Sequence, residues 1–262
     1  MTEKITVRDL TKVFEGRTAS TRALAGVNLT VGDGEFLCIL GPSGCGKTTI
    51  LRILAGLETP TTGAVEMRRS GDHNRPLNSM VFQEHSLLPW LTVIDNAAFG
   101  LEMRGLPRKL RYEKARAFLE TVGLASFSSH YPHQLSGGMK QRVSLARAFV
   151  NDPEVLLMDE PFASLDAQNK ILLQDELLKI WEQNKKTVVY ITHSIDEALM
   201  LGDRIVVMTA APGKVKEIID VDFGRPRDIF EIKAKPQFGE MSLHIWRVLE
   251  SEVRKTRLAE RA

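Results

Sequence analysis

Cysteine is scarce in this sequence, and long apolar runs are missing. Only Cys38 and Cys45 occur among 262 residues, which excludes a disulfide framework and predicts a reduced, cytosolic protein. No stretch reaches the about 18 consecutive apolar residues of a membrane-spanning helix, and the first residues lack the apolar region of a signal peptide. Any role at a membrane would therefore require another chain to supply the membrane-spanning part.

Charge of one sign is also lacking. The 35 basic and 33 acidic residues leave a formal net charge of +2, and no run of five like charges occurs. This balance is too small to indicate a nucleic-acid partner. Hydrophobic residues make up 43% of the chain, which is ordinary for a globular protein and sufficient for a sizeable core.

The apolar pattern predicts an α/β fold. A strand-like pattern at residues 5–10, a second apolar run at 25–31 and a turn signal at 32–34 predict a small antiparallel sheet at the start, and the apolar run 35–40 predicts a buried strand. Residues 91–149 are mostly helical in pattern. Strands predicted at 155–158, 187–192 and 204–208 alternate with helices at 171–181 and 196–201, which favours a largely parallel sheet covered by helices.

A glycine-rich loop between the strand at 35–40 and a predicted helix at 47–57 matches G-x-x-x-x-G-K-[ST] in full. The matching residues are Gly41, Pro42, Ser43, Gly44, Cys45, Gly46, Lys47 and Thr48. The glycines let backbone N–H groups converge on an anion, and the helix N-terminus adds positive charge. We expect Lys47 to reach the β- and γ-phosphates of a nucleotide, Thr48 to ligate Mg²⁺, and Thr49 to help hold a phosphate. Cys45 is interpreted as a small space-filling residue, not a nucleophile.

Two carboxylates end the apolar strand at 155–158. Asp159 and Glu160 would need partners if buried, and in a phosphate-loop protein the partner is Mg²⁺ with its waters. Asp159 is therefore predicted as a metal ligand, directly or through water. Glu160 is predicted to polarise the water that attacks the γ-phosphate. A pair of helix-capping residues is the alternative interpretation.

A second anion-binding pattern precedes the helix that begins near residue 140. Ser136, Gly137 and Gly138 place a serine and two glycines at a helix start. Because the first phosphate loop lies far away along the chain, the economical arrangement is a head-to-tail pair of chains. Each nucleotide would then lie between the lysine loop of one chain and the serine loop of the other.

With these motifs the sequence resembles the ABC ATPase family, whose signature L-S-G-G-Q is present here with Met139 in the last position. The resemblance implies a RecA-like P-loop NTPase core with an N-terminal antiparallel β-subdomain and an inserted α-helical subdomain. It identifies Gln83 as the glutamine that contacts Mg²⁺ or the attacking water, and residues 163–166 as the loop that crosses the dimer interface. It identifies His193 as the switch histidine at the γ-phosphate. Phe14 is the candidate for stacking on adenine, with a core position as the alternative.

Within this family the chain resembles the importer subunits for nitrate, sulfonates and taurine, through residues 86–93, 131–134 and 212–215. The resemblance implies ATP and Mg²⁺ as cofactors, a homodimer, and integral membrane permease subunits as partners. It also implies an indirect link to a periplasmic or extracellular substrate-binding protein, and a peripheral location on the cytoplasmic face of the membrane. The apolar residues 87–91 are predicted either to receive a cytoplasmic helix of the permease or to pack inside the helical subdomain.

The resemblance also divides the chain. An ABC ATPase domain is expected over residues 1–220, with the core at 1–85 and 153–220 and the helical subdomain at 86–152. Residues 221–262 form a C-terminal tail with an amphipathic helix at 242–258, which we interpret as a packing helix, and the tail is too short for a nutrient-sensing domain.

Two other functions are open to a sequence of this kind. One is an ABC ATPase that acts on nucleic acid or the ribosome instead of a transporter. The other, a P-loop kinase or GTPase, agrees less well, because such proteins need no serine–glycine signature and the segment 184–187 does not complete a guanine-reading N-K-x-D motif.

Overall fold

A computed structural model describes residues 2–16, 20–84 and 86–259. The chain divides into two compact units, the first formed by residues 1–69 and 178–262 and the second by residues 70–177. Helix α5, Ala167–Asn184, crosses this division. In the part of the chain that the structure describes, no helix combines the length and the apolar character needed to cross a bilayer.

The first unit begins with an antiparallel sheet. Strands β1 (Glu3–Glu15), β2 (Ser20–Gly32) and β4 (Thr62–Met67) are arranged in the order β2-β1-β4. The predicted antiparallel start is confirmed, but β2 is longer than the run 25–31. Its additional N-terminal residues are mostly polar and exposed. The pattern of apolar residues therefore did not predict that the strand begins at Ser20.

A second set of strands in the first unit surrounds the fully buried β3 (Phe36–Leu40). Strands β7 (Thr187–Thr192) and β8 (Arg204–Met208) flank β3 in parallel, as predicted, and β9 (Val215–Asp220) adds an antiparallel edge. Strand β9 was not predicted, because exposed and half-buried residues alternate along it. Helices α1 (Lys47–Leu54) and α6 (Ile195–Leu201) follow β3 and β7 respectively.

The second unit combines a parallel strand pair with a group of helices. Strand β5 (Asn78–Val81) pairs with β6 (Val155–Asp159), and three α-helices lie between them in sequence among the residues that the structure describes. These helices are α2 (Val93–Met103), α3 (Arg108–Thr121) and α4 (Gly137–Val150), and all three pack against one another. Buried apolar side chains such as Leu101, Leu119 and Val143 form their common core.

The C-terminal residues form two helices within the first unit. Helix α7 spans Ile229–Ala234, and α8 spans Pro236–Ala259, starting before the predicted residue 242. Helix α8 packs against α6 and α7 and buries Ile245 and Leu249. Arg227, just before α7, is buried and donates to several backbone carbonyls, including that of Gly202 at 2.7 Å. The tail is therefore integrated into this unit by apolar packing and by polar contacts.

Candidate nucleotide site

The phosphate loop lies between β3 and α1 in the first unit. Gly44 and Gly46 adopt φ values of 73° and 93°, a region that side chains with a Cβ rarely enter. A Cβ on Gly46 would also lie 2.8 Å from the carbonyl oxygen of Ala23. Glycine at position 46 is thus required twice, by its backbone angle and by the close approach of β2.

Lys47 is buried at the start of α1 and its ammonium group turns into the loop. Its Nζ donates to the carbonyl oxygens of Gly41 at 2.8 Å and Pro42 at 2.9 Å. The positive charge therefore lies within the curl of the loop, where a phosphate is expected. Burial raises the pKa of the neighbouring Cys45 thiol, which keeps it protonated and supports its interpretation as a space-filling residue.

His193 directly follows β7 and lies at the same edge of the sheet as the phosphate loop. It lines a cleft of about 320 Å³ together with Gly41, Pro42 and Ser43. The structure thus brings the predicted switch histidine and the phosphate loop together. The opposite wall belongs to α8, where Trp246 and Leu249 contribute side chains. From the sequence, this part of the chain was predicted only as an amphipathic packing helix.

The remaining predicted nucleotide contacts of the first unit lie on α1 and β1. Thr48 is exposed and Thr49 half-buried in the first turn of α1. Phe14 on β1 is 41% exposed, and Lys12 Nζ lies 4.9 Å from its ring centroid. The alternative of a core position for Phe14 is therefore wrong, because a large part of the side chain is exposed.

The carboxylates and the glutamine lie at one edge of the strand pair in the second unit. Val81 of β5 is paired with Met158 of β6, so Gln83 and the pair Asp159–Glu160 emerge from the carboxyl ends of neighbouring parallel strands. Asp159 is buried, whereas Glu160 is half-buried and Gln83 exposed. Glu160 has a φ of 42°, a left-handed conformation that is uncommon for a residue with a side chain and is found preferentially at functional sites.

The serine–glycine motif forms the N-terminus of α4. Ser136 is the N-cap, and its Oγ accepts from Met139 N at 3.3 Å. Ser136, Gly137 and Gly138 line a cleft of about 320 Å³ that is completed by Ser164, Leu165 and Asp166 among others. Arg142 at its side is bound in a bidentate manner by Glu176, at 2.8 and 3.1 Å. The second anion-binding motif and the predicted interface loop therefore form one surface.

The apolar segment between β5 and α2 divides into exposed and half-buried parts. Pro89 and Trp90 are exposed, Trp90 by 69%, whereas the leucines of this segment are half-buried. Fully buried Asn96 on α2 holds the segment through four hydrogen bonds to its backbone, at 2.9–3.1 Å. Sequence reasoning missed Asn96, because a single asparagine within a helix carries no recognisable pattern.

Comparison with known proteins places these motifs in a family. Residues 24–163 match the family model of the ABC transporter. An uncharacterized ABC transporter ATP-binding protein of Methanocaldococcus jannaschii is 50% identical over 261 residues, covering 98% of this chain and 95% of the relative. A nitrate import ATP-binding protein of Synechocystis is 41% identical, with 90% and 91% covered. An aliphatic sulfonates import ATP-binding protein of Bacillus cereus is 42% identical, with 85% and 88% covered.

Solved structures agree with the sequence relatives. A dimeric bacterial ABC transporter cassette superposes with a TM-score of 0.73 at 33% identity, covering 83% of this chain and 98% of that cassette. The same values hold for a post-hydrolysis state of that cassette with ADP and Pi bound. The chain therefore belongs to the ABC transporter family, as an ATP-binding subunit of the class that hydrolyses ATP.

Proposed function

We propose that this chain is the ATP-hydrolysing subunit of an importer for a small nutrient such as nitrate, a sulfonate or taurine. The observation that carries the ATPase assignment is the presence of two separate anion-binding motifs, at Lys47 and at Ser136. Each is built at a helix N-terminus and lines its own cleft. The import assignment is supported by relatives named for nitrate and aliphatic sulfonate import at 41–42% identity.

The residues present suit Mg²⁺–ATP. Thr48, Gln83 and Asp159 offer a hydroxyl, an amide and a carboxylate oxygen, the hard donors that Mg²⁺ prefers. When bound, the cation would neutralise charge on the phosphate oxygens. Lys47 and Thr49 would hold the phosphates, with the backbone of residues 41–46 around them. Phe14 would stack on the adenine ring.

The half-site in each chain is completed by a second copy. We propose a head-to-tail homodimer in which Ser136, Gly137 and Gly138 of one protomer face the phosphate loop of the other. Glu160 orients the attacking water and accepts its proton, and His193 holds the γ-phosphate end in line. The dimeric state of the related cassette supports this arrangement. Gln83 joins the catalytic edge to the helices of the second unit, so closure is transmitted to the bound permease.

The permease contact is proposed at the exposed part of the apolar segment, around Pro89 and Trp90. An indole that is 69% exposed next to further apolar residues is typical of an interface. Asn96 fixes the backbone of that surface, so it is presented as a preformed shape. Through this contact the chain would be held at the cytoplasmic face of the membrane, and a substrate-binding protein outside would act on it only indirectly.

The domain division follows from the same proposal. Residues 1–220 would form the ABC ATPase domain, with its RecA-like core at 1–85 and 153–220 and its helical subdomain at 86–152. Residues 221–262 would form the tail, without a nutrient-sensing function.

A mixing experiment tests the shared site. Lys47→Ala and Ser136→Arg chains should each be inactive alone, since every site in either homodimer lacks one half. Mixed one to one, they form heterodimers with one intact composite site, so turnover should return to on the order of a quarter of the parental rate. No recovery on mixing, with both variants folded, would show that each chain forms its site alone.

A second measurement separates import from other ABC functions. Co-purification from detergent extracts should recover a membrane permease with this chain, and Trp90→Ala should weaken that recovery without changing the ATPase rate of the isolated subunit. Glu160→Gln should bind ATP and accumulate as a dimer without hydrolysis. If ATP turnover instead responds to nucleic acid and no permease is recovered, the alternative role is correct.

A further inference from the structure

Glu252 on α8 is a buried carboxylate far from the predicted nucleotide contacts in sequence. It is 3% exposed, and all its partners lie in the first unit. Its Oε2 accepts from the backbone N of Ala210 at 3.0 Å. Its Oε1 accepts from Lys216 Nζ at 2.8 Å and Lys255 Nζ at 2.9 Å. A carboxylate in such a position is costly to bury unless these partners are kept.

Ala210 belongs to the connection between β8 and β9, residues 209–214, which is closed into a tight loop. Thr209 N donates to Lys214 O at 2.9 Å, and Lys214 N donates to Thr209 Oγ1 at 3.0 Å. Because the loop is held together by its own hydrogen bonds, the bond from Ala210 N to Glu252 fixes the whole loop and not Ala210 alone. Moving Glu252 would release one side of this loop.

The opposite side of the 209–214 loop contacts the phosphate loop. Gly213 exchanges backbone hydrogen bonds with Ala23 and Ala25 of β2, at 2.9 and 3.0 Å. A Cβ on Gly213 would lie 2.0 Å from the carbonyl oxygen of Cys45, so the two backbones touch. The phosphate loop is thus confined by β2 on one side, through Gly46, and by Gly213 on the other.

We propose that Glu252 is a positioning residue for nucleotide binding, which acts through Ala210 and Gly213 on the backbone of the phosphate loop. The inference rests on the nucleotide site proposed above and adds the C-terminal helix to it. A cleft of about 760 Å³ that is lined by Ser43 and Gly44, by the 209–214 loop and by Glu252 shows that these elements adjoin. The apolar packing of Ile245 and Leu249 is sufficient to hold α8 in place. The attachment of the helix therefore does not explain why a carboxylate is buried at position 252.

The test measures binding of a fluorescent ATP analogue and steady-state hydrolysis in the full chain. Glu252→Leu removes the acceptor for Ala210 and should raise the Kd and KM about tenfold while kcat falls by less than about twofold. Glu252→Gln retains a carbonyl acceptor and should raise the Kd by less than about threefold. Glu250→Gln is the matched control, since Glu250 pairs with exposed Arg254 on the same helix, and should bind like the parent.

A double-mutant cycle distinguishes positioning from general loosening. Gly213→Ala should weaken binding by displacing Cys45, and because both changes act through one loop, their combined fold-change should be smaller than the product of the two. Circular dichroism melts establish that each variant is folded at the assay temperature. Parental affinity in folded Glu252→Leu, or fold-changes that multiply, would overturn the proposal. Parental affinity in Lys47→Ala would instead refute the nucleotide site itself.

Discussion

Asn96 binds Leu88 at both of its backbone groups: Leu88 N donates to Asn96 Oδ1 at 2.9 Å, and Asn96 Nδ2 donates to Leu88 O at 3.1 Å. The same amide nitrogen also lies 3.0 and 3.1 Å from the carbonyls of Leu91 and Thr92. Because the side chain is fully buried, it offers the neighbouring backbone a set of partners that water cannot replace.

Replacing Asn96 by alanine should remove the side-chain partners of Leu88 N and Leu91 O, whereas Leu88 O and Thr92 O keep backbone donors. We expect a loss of about 2–3 kcal/mol in the free energy of unfolding, measured by urea titration. Asn184→Ala is the control, because Asn184 is exposed and donates to Ile180 O of its own helix. An Asn96→Ala variant as stable as this control would contradict the role assigned to the amide.

The left-handed backbone of Glu160 predicts a difference between two inactive variants. At a φ of 42°, glycine avoids the contact that a Cβ makes with the backbone. Glu160→Gly should therefore be more stable than Glu160→Ala by about 1 kcal/mol, although both abolish hydrolysis. Equal midpoints of the Glu160→Gly and Glu160→Ala variants in thermal melts would show that alanine adopts this backbone conformation without strain.

Arg227 should not tolerate lysine. Its side chain is buried and donates to the carbonyls of Gly202, Met200, Val221 and Gly224, and burial together with the nearby Arg225 lowers its pKa to about 10. Lysine keeps the charge but lacks the planar guanidinium group with its several N–H donors. We therefore expect Arg227→Lys to lower the free energy of unfolding by about 2–4 kcal/mol in a denaturant titration.

The control for this change is Arg254→Lys. Arg254 is an exposed arginine that pairs with Glu250 within α8. An exposed ion pair of this kind contributes little to stability, so Arg254→Lys should change the free energy of unfolding by less than about 0.5 kcal/mol. Comparable losses in the two variants would remove the special role of Arg227.

Trp246 should report nucleotide binding by its fluorescence. It shares a cleft with Pro42, Ser43 and His193, so phosphates bound there would change the surroundings of its indole. ATP should alter the emission of the parental chain and of Trp90→Phe, and the alteration should be absent from Trp246→Phe. A signal that survives in Trp246→Phe would place the response elsewhere, such as at buried Trp181.

The pKa of Glu252 predicts a defined acid sensitivity. Burial raises this pKa, but the hydrogen bonds from Lys216, Ala210 and Lys255 outweigh burial and lower it from 4.5 to about 2. A carboxylate whose pKa is lower in the folded state than in the unfolded state stabilises the fold at pH values above its unfolded-state pKa. That stabilisation is lost as the pH falls towards the folded-state pKa. Between pH 7 and pH 5, the free energy of unfolding of the parent should exceed that of Glu252→Gln by about 2 kcal/mol. This difference should shrink from pH 4.5 downward. A difference independent of pH would contradict an ionised Glu252.

Much of the site was predictable because its motifs are local. The spacing of Gly41, Gly46 and Lys47 determines a loop that curls around an anion whatever surrounds it. Ser136 caps α4 through a residue three positions away, and the continuous apolar run around Phe36–Leu40 identifies a buried strand. In each case the interacting groups are neighbours along the chain, so the pattern of residue types carries the information.

The sequence by itself thus determined the phosphate loop, the serine–glycine helix start, the positions of the central strands along the chain and the membership of an ATPase family. Tertiary structure alone decided that Gly213 touches Cys45, that Glu252 binds Ala210, that Asn96 holds Leu88 and that Glu160 takes a positive φ. The three contacts each involve a backbone group, and every residue type except proline carries the same backbone N–H and C=O. No residue pattern marks such a contact until the chain has folded and brought the partners together.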